Sequence, residues 1–301
     1  MATTGSTYGA ESAIRQSLWN DIKSIEKKET YVTSTSGRVS VSTKVHSWTR
    51  DPITATTSVT GIGEGADTSY AIAEPTLHTN YTQIIEKGFK VTATRQNSEF
   101  AAWKNDFAHQ QAQKMKEWKN ELEFSVLCGT VSSGTASVVR RMGGIVRLSS
   151  MYSTVGSVVS LTSDMLNAFL GAAYDQGADH EVILVGRVLK ERISMFTVGN
   201  TRTIDAQDET INARVSVYES DHGTQKIIKH RYVNYAGMGG AGTLTQTFVS
   251  YIPDYIKIGF LDEPHYEDRP AAGYYKAGSI VGEATVQVTD PYAVQVIDQL
   301  S

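Results

Sequence analysis

The spacing of apolar residues changes several times along this chain, and each change predicts a different element. Ile14, Leu18, Ile22 and Ile25 recur at intervals of 4, 4 and 3, so Ala10–Lys28 reads as a short amphipathic helix behind a small, polar, arm-like start. The rhythm then becomes that of extended chain. Thr30–Thr60 is crowded with Thr, Ser and Val, and Val39, Val41, Val45 and Trp48 alternate imperfectly along it. Thr76–Thr94 is strand-like by its β-branched content. Between the two lies a Gly-rich tip, GIGEGADTSYAIAEP. Two extended arms with a flexible end lack the apolar residues for a core of their own, which predicts a projecting hairpin that needs a partner.

The helical period returns in SEFAAWKNDFAHQQAQKMKEWKNELEFSVLCG, Ser98–Gly129. Phe100, Trp103, Phe107, Met115, Trp118, Leu122 and Val126 fall on one stripe, with Gln111 at the step between Phe107 and Met115. The mean step is about 3.7 residues, nearer a straight helix than a left-handed coiled coil. The prediction is a rod of roughly thirty residues and ~45 Å that lies on its own sheet and does not zip to its own copy. Ala108–Lys114 is polar apart from small alanines, so the rod should bridge there without burying a face. The following SSGTASVVRRMGGIVRLSSMYST is Gly-broken and reads as loops and small strands.

From Leu161 the elements shorten. TSDMLNAFLGAAYDQG offers Thr162 as N-cap, Asp164 in the first turn and Gly177 as the stop of a helix. HEVILVG is a buried strand, RVLKERISMF a second short helix, and INARVSVYESDHGTQKIIKHRYV a hairpin turning at SDHG. TFVSYIPDYIKIGFL adds strand, and the tail YYKAGSIVGEATVQVTDPYAVQVIDQLS holds strands able to return to the first half.

Composition narrows the class only a little. The 301 residues are 40% hydrophobic and 20% charged, with formal net charge −4. A substantial core is expected, and a dedicated nucleic-acid binder, usually strongly basic on one face, is not. The single cysteine rules out an internal disulfide and any multi-cysteine metal site. No signal-peptide pattern opens the chain, and no apolar run approaches the ~18 residues of a spanning helix. A cytoplasmic protein with no membrane partner is the default.

Candidate chemistry is thin. GMGGAG, Gly237–Gly242, matches G-x-G-x-x-G by letter, but the residues after it read as strand where a phosphate cradle needs a helix N-terminus. GIGEG at Gly61–Gly65 fails the same test. Cys128 lies at the apolar end of the long helix and reads as a buried structural thiol. His109, about nineteen residues back on the same helix and so ~28 Å away, cannot serve it as a base. Ser220, Asp221 and His222 are adjacent in a turn and diverge, whereas triad members converge. Asp262, Glu263, His265, Glu267 and Asp268 lack the spacing of a calcium loop and read as a solvated acidic linker. His180-Glu181 lacks the second histidine of a zinc-protease helix. Arg140, Arg141 and Arg147 make a small basic spot, a subunit contact or a solvated turn. No catalytic, cofactor-binding or metal-ligating residues are therefore expected.

The order of parts and several local stretches resemble the major capsid (major head) proteins of tailed bacteriophages, whose fold is shared with encapsulins and herpesvirus shells. LTSDMLNAFLGAAYDQGADHEVILVGRVLKERISMF (161–196) and TRTIDAQDETINARVSVYESDHGTQKIIKHRYV (201–233) are similar to the axial-domain segment of one group of them. EGAD (64–67) and NYTQI (80–84) are similar to the end of its extended loop. The likeness runs from about Ile14 to Leu300. It departs at IEKKETYV (25–32), where relatives carry a Pro-containing stretch, and loosens after Phe260.

The resemblance implies an α+β fold with an N-terminal arm at 1–29, an extended β-hairpin loop at 30–80, and a peripheral domain at 81–160 with a spine helix at 98–128. An axial domain at 161–262 and a return to the peripheral domain at 263–301 complete it. It implies a structural, non-enzymatic subunit that assembles with itself, as hexamers and pentamers, into an icosahedral head around double-stranded DNA. That DNA is held without sequence-specific binding, and mild acidity suits a wall that must release it. Portal, decoration and scaffolding proteins are implied partners; with the first helix near Ala10, a separate scaffold or scaffold-free assembly is expected. Val39, Val41, Trp48 and the tip glycines Gly61, Gly63 and Gly65 are assigned to contact between subunits. An encapsulin-like protein compartment and a nucleotide-binding enzyme using Gly237–Gly242 are the other readings.

Overall fold

Two sheets and one long helix organise the computed structural model, which describes residues 30–53, 61–67, 72–98, 105–196, 217–220, 222–234 and 246–300. The helix expected at Ala10–Lys28, Phe100, Trp103 and the Gly237–Gly242 run lie outside the described residues. In chain order the elements are α1 (Tyr31–Thr35), β1 (Gly37–Ser40), β2 (Val45–Arg50), β3 (Thr76–Tyr81), β4 (Gln83–Thr92), α2 (Ala93–Asn97) and α3 (Asp106–Cys128). Then come α4 (Ile145–Leu148), β5 (Met151–Val159), α5 (Ser163–Asp175), β6 (Val182–Val185), α6 (Arg187–Phe196), β7 (Val217–Ser220) and β8 (Gly223–Lys229). The chain ends through β9 (Gln246–Tyr251), β10 (Ile256–Arg269), β11 (Tyr275–Val288) and β12 (Val294–Leu300).

A four-stranded sheet of order β1-β10-β11-β4 carries α3. On β11 every second residue from Ile280 to Val288 turns to one face, and Ile280, Ala284, Val286 and Val288 are buried there. The exception in that row is Gly282. A Cβ on it would stand 2.8 Å from the Trp118 ring, so this glycine makes room for the helix. Trp118 is 1% exposed and its Nε1 donates to the Ile85 carbonyl at 2.9 Å, pinning α3 across β4. One helix end is held by Phe107, packed against Phe89 and Tyr266. From Ala108 to Glu117 no residue is buried, so the rod bridges between anchors as its polar stretch predicts.

The helix is shorter than its apolar stripe suggests. It begins at Asp106, not Ser98, and has 23 residues, a length of ~34 Å. Asn105 is extended and its side chain accepts from the Ala108 amide at 3.2 Å, an N-cap that starts the helix there. Arg95, at the end of α2, donates to the buried Asp106 at 2.6 and 3.1 Å and holds the break in place.

The second sheet has six strands, in the order β5-β12-β9-β6-β8-β7. β6 is buried on both faces, which is why it reads as an unbroken apolar run. Ile183 and Val185 face a core made with Leu166, Leu170, Leu189 and Ile193 of α5 and α6. Val182 and Leu184 face the other core, with Val126 and Leu127 of α3. α5 is capped as expected: Thr162 accepts from the Met165 amide, Asp164 sits in the first turn, and Gly177 follows at φ +80°.

The sheets divide the chain elsewhere than at 160 and 262. β5 and the terminal β12 lie side by side at one end of the six-stranded sheet, while β10 and β11 belong to the four-stranded one. Only part of 263–301 therefore returns to the sheet under α3. The start of the expected hairpin also differs. Tyr31–Thr35 is one helical turn, and β1 pairs in parallel with β10 inside the body.

Candidate functional site

What leaves the body is a two-stranded ribbon. β2 and β3 pair antiparallel from Val45↔Tyr81 to Arg50↔Thr76 and form a sheet by themselves. At ~3.4 Å per residue the ribbon is ~20 Å long. Among the described residues no third strand backs it, and a lone hairpin is marginal in water.

The base of the ribbon is built with care. Asn80 is fully buried and uses its whole amide: it donates to the carbonyls of Gly143 (3.0 Å) and Val286 (2.7 Å) and accepts from the amides of Gly143 (2.8 Å) and Tyr81 (2.9 Å). One side chain thus locks the ribbon's exit to β11 and to the segment after α3. Next to it Thr82, Arg140 and Glu283 close a second knot. Arg140 donates to the Thr82 carbonyl at 2.7 Å and to the Glu283 carboxylate, which also accepts from the Thr82 hydroxyl. Further out, His46 meets Gln287 at 2.8 Å, and Arg50 donates to Asp290 at 2.8 Å with its guanidinium over the Tyr292 ring.

Beyond Arg50 the glycines of the tip stand in the open. A Cβ on Gly61, Gly63 or Gly65 would meet nothing within 4 Å, and Gly65 has φ +82°. Ile53, Ile62, Ile72 and Leu77 are exposed by 95, 62, 91 and 67%. Large apolar side chains left in water beside an open tip are the kind of surface that interaction sites present.

The six residues expected at subunit contacts are not brought together. Gly61, Gly63 and Gly65 stand on the tip. Trp48 is half-buried on the ribbon between His46 and His78, at ring distances of 5.6 and 6.1 Å. Its Nε1 is buried with no hydrogen-bond partner among the described residues. Val39 and Val41 belong to the body, which corrects their placement on the hairpin. A Cβ on Gly259 would fall 2.2 Å from Val41 and 3.0 Å from Val39, so both fill the gap that this glycine leaves in their own sheet.

The other candidates resolve into structural roles. Cys128 is buried, its thiol pushed up to about 12 by desolvation and directed at the Tyr232 carbonyl. Ser220 and His222 close the β7–β8 turn, where the Ser220 hydroxyl accepts from the His222 amide and donates to the Gly223 carbonyl; Asp221 lies outside the described residues. His180 is held between the Ser250 hydroxyl and the Tyr292 carbonyl, and burial lowers its pKa. The acidic run is not a linker. Asp262–Asp268 forms the outer half of β10, laced by Arg269 to Glu86 and Glu267. Among the described residues no three His, Cys, Asp or Glu side chains group as a metal site, and no helix is long and apolar enough to cross a membrane.

Sequence reasoning missed the clamps. Asn80 stands within NYTQI and Arg140 within the basic spot, yet neither role is visible in spacing, because the partners are Val286 and Glu283, more than a hundred residues away.

A family model described as the SU10 major capsid protein matches residues 2–301. No curated protein sequence matches the chain. Solved structures share the fold at low identity. The chain of Gordonia phage Cozz is 13% identical with TM-score 0.63, covering 100% of this chain and 96% of its own. That of Microbacterium phage Oxtober96 is 14% identical with TM-score 0.67, covering 98 and 99%. The capsid of a native GTA particle gives 11% identity and TM-score 0.67 with 100% of both chains covered.

Proposed function

Since the chain belongs to the SU10 major capsid protein family and is a capsid subunit, we propose that its copies close into an icosahedral phage head around double-stranded DNA, joined by the β2–β3 ribbon lying on neighbouring subunits. The observation that carries this is the ribbon itself: two strands without a third, tipped by exposed Ile53, Ile62 and Ile72. Such a ribbon gains burial only on another surface. In a closed shell every subunit offers the same surface to the next, so one ribbon design serves all copies. Gly61, Gly63 and Gly65 let the tip follow a neighbour's contour, and Trp48 stiffens the ribbon behind it.

The chain acts as wall material and not as an enzyme. Capsomers are hexamers and pentamers of this chain, assembled in the bacterial cytoplasm and met by portal, scaffolding and decoration proteins. The net charge of −4 suits a wall that encloses DNA without gripping it, since affinity grows with each phosphate neutralised.

Electron microscopy of the purified full chain tests the assembly: closed shells or capsomer rings are expected, and a small monodisperse particle overturns it. Shells that bind added DNA tightly at physiological salt would overturn the passive-wall reading alone.

A further inference from the structure

Glu123 is a charged side chain at 0% exposure in the middle of the molecule. It sits on α3, and three donors from two other elements converge on it. The Val32 amide donates to Oε1 at 2.7 Å and the Thr33 amide to Oε2 at 2.8 Å, both from the first turn of α1. His230, just past β8, lies 3.1 Å from Oε1 through Nε2 and is also fully buried. The tautomer follows from the network. The Tyr232 amide donates to His230 Nδ1 at 3.3 Å, so Nε2 carries the proton and gives it to Glu123. Every polar atom of the pair is satisfied with Glu123 ionised and His230 neutral.

We propose that Glu123 is an acid-released latch: its carboxylate holds the turn Tyr31–Thr35 onto α3 and the six-stranded sheet, and its protonation lets that turn go. Both oxygens already face N–H groups, so an added proton turns an acceptor into a donor among donors and weakens the bonds that converge there. α1 is a single turn, held also by Val32 in the core and Tyr31 packed against it. It has five residues, its N-cap Thr30 makes no side-chain cap bond, and only Val32 is buried.

Besides His230, several titratable and charged groups face Glu123 from the elements packed around it. α1 presents Tyr31, whose ring lies under the Lys226 ammonium of β8 at 5.6 Å. β9 presents Tyr251, fully buried, its phenol pushed far up by burial and kept neutral. The turn after β8 presents Tyr232 and the exposed Arg231, and α3 adds the neutral Cys128 and the exposed Lys119. Burial alone would raise the Glu123 pKa, but the bonds from His230, Thr33 and Val32 outweigh it and hold the carboxyl below its ordinary 4.5. A depressed carboxyl stabilises the docked turn above the unfolded value, and that contribution is lost as pH falls through the lower folded value.

Hydrogen exchange on the full chain reads the latch directly, with protection at the Val32 and Thr33 amides corrected for intrinsic rates at each pH. In the wild type this protection should fall about ten- to a hundredfold, the worth of hydrogen bonds to a charge, with a midpoint below 4.5, while the Ile280 and Val286 amides of β11 stay protected. Glu123→Gln should show the same selective loss at neutral pH, and Glu121→Gln, which loses an ion pair to Lys87 of β4, should not. If Val32 and Thr33 lose protection only together with β11 as acid unfolds the wild type, or if Glu123→Gln keeps them protected at neutral pH, there is no latch. The wild-type titration stands by itself should Glu123→Gln fail to fold.

Discussion

Two antiparallel hairpins in this protein have opposite fates. β10 and β11 run fourteen residues each and are backed by α3, with Trp118 pressed onto Gly282 and Phe107 onto Tyr266. β2 and β3 run six residues each, with no third strand among the described residues and only side-chain ties such as Arg50 to Asp290, and the chain between them carries exposed isoleucines. The first hairpin gets its stability from its own chain; the second, on the proposed assembly, would get it from a neighbour. Glycine shows the contrast most plainly. Gly282 and Gly259 are places where another side chain occupies the missing Cβ, while Gly61 and Gly63 stand in open space. The same residue type marks tight packing in one hairpin and conformational freedom in the other.

The comparison breaks first at Trp118. Trp118→Ala removes the largest buried side chain on α3 and the bond to the Ile85 carbonyl, and should cost about 3–5 kcal/mol of subunit stability in denaturant unfolding. A loss under about 1 kcal/mol would mean that the helix does not back this sheet. Asn80→Ala strips four bonds from the base of the ribbon and leaves the buried Gly143 amide without its acceptor; about 2–3 kcal/mol is expected in the same measurement. Gly282→Ala against Gly63→Ala is the sharpest pairing. The first drives a methyl at the Trp118 ring and should cost about 1–3 kcal/mol; the second should stay within about 0.5 kcal/mol. Equal effects would erase the distinction drawn here. Arg50→Ala loses a partly exposed ion pair and at most about 1 kcal/mol. Ile62→Ser should leave subunit unfolding unchanged and lower the yield of shells in sedimentation; unchanged assembly would show that the tip is not buried by a neighbour.

Elements whose cause lies within a turn or two of chain were legible. The cap of α5 at Thr162, the doubly buried β6, and the anchor–bridge–anchor pattern of α3 all stand in the local spacing of apolar and polar residues. The true start of α3 was legible in part: Asn105-Asp106 is a capping pair, but an apolar stripe running back to Phe100 overrode it on paper. Tyr31–Thr35 was not legible. Its β-branched residues favour extended chain, and a carboxylate 91 positions away at Glu123 binds its first amides and makes it a turn of helix. Val39 and Val41 failed in the same way, because the gap they fill belongs to Gly259.

By itself, then, the sequence determined most of the helix and strand segments and that a hairpin lacks a core, since these rest on periodicity and composition within short windows. Only the tertiary structure decided which strands share a sheet, that β12 closes the six-stranded sheet, and which valines the body consumes. It alone showed that Asn80 and Glu123 tie distant segments together. Those outcomes depend on pairings such as His46 with Gln287, 241 residues apart. No local preference encodes such a pairing; the burial and hydrogen bonding of the whole chain select it together.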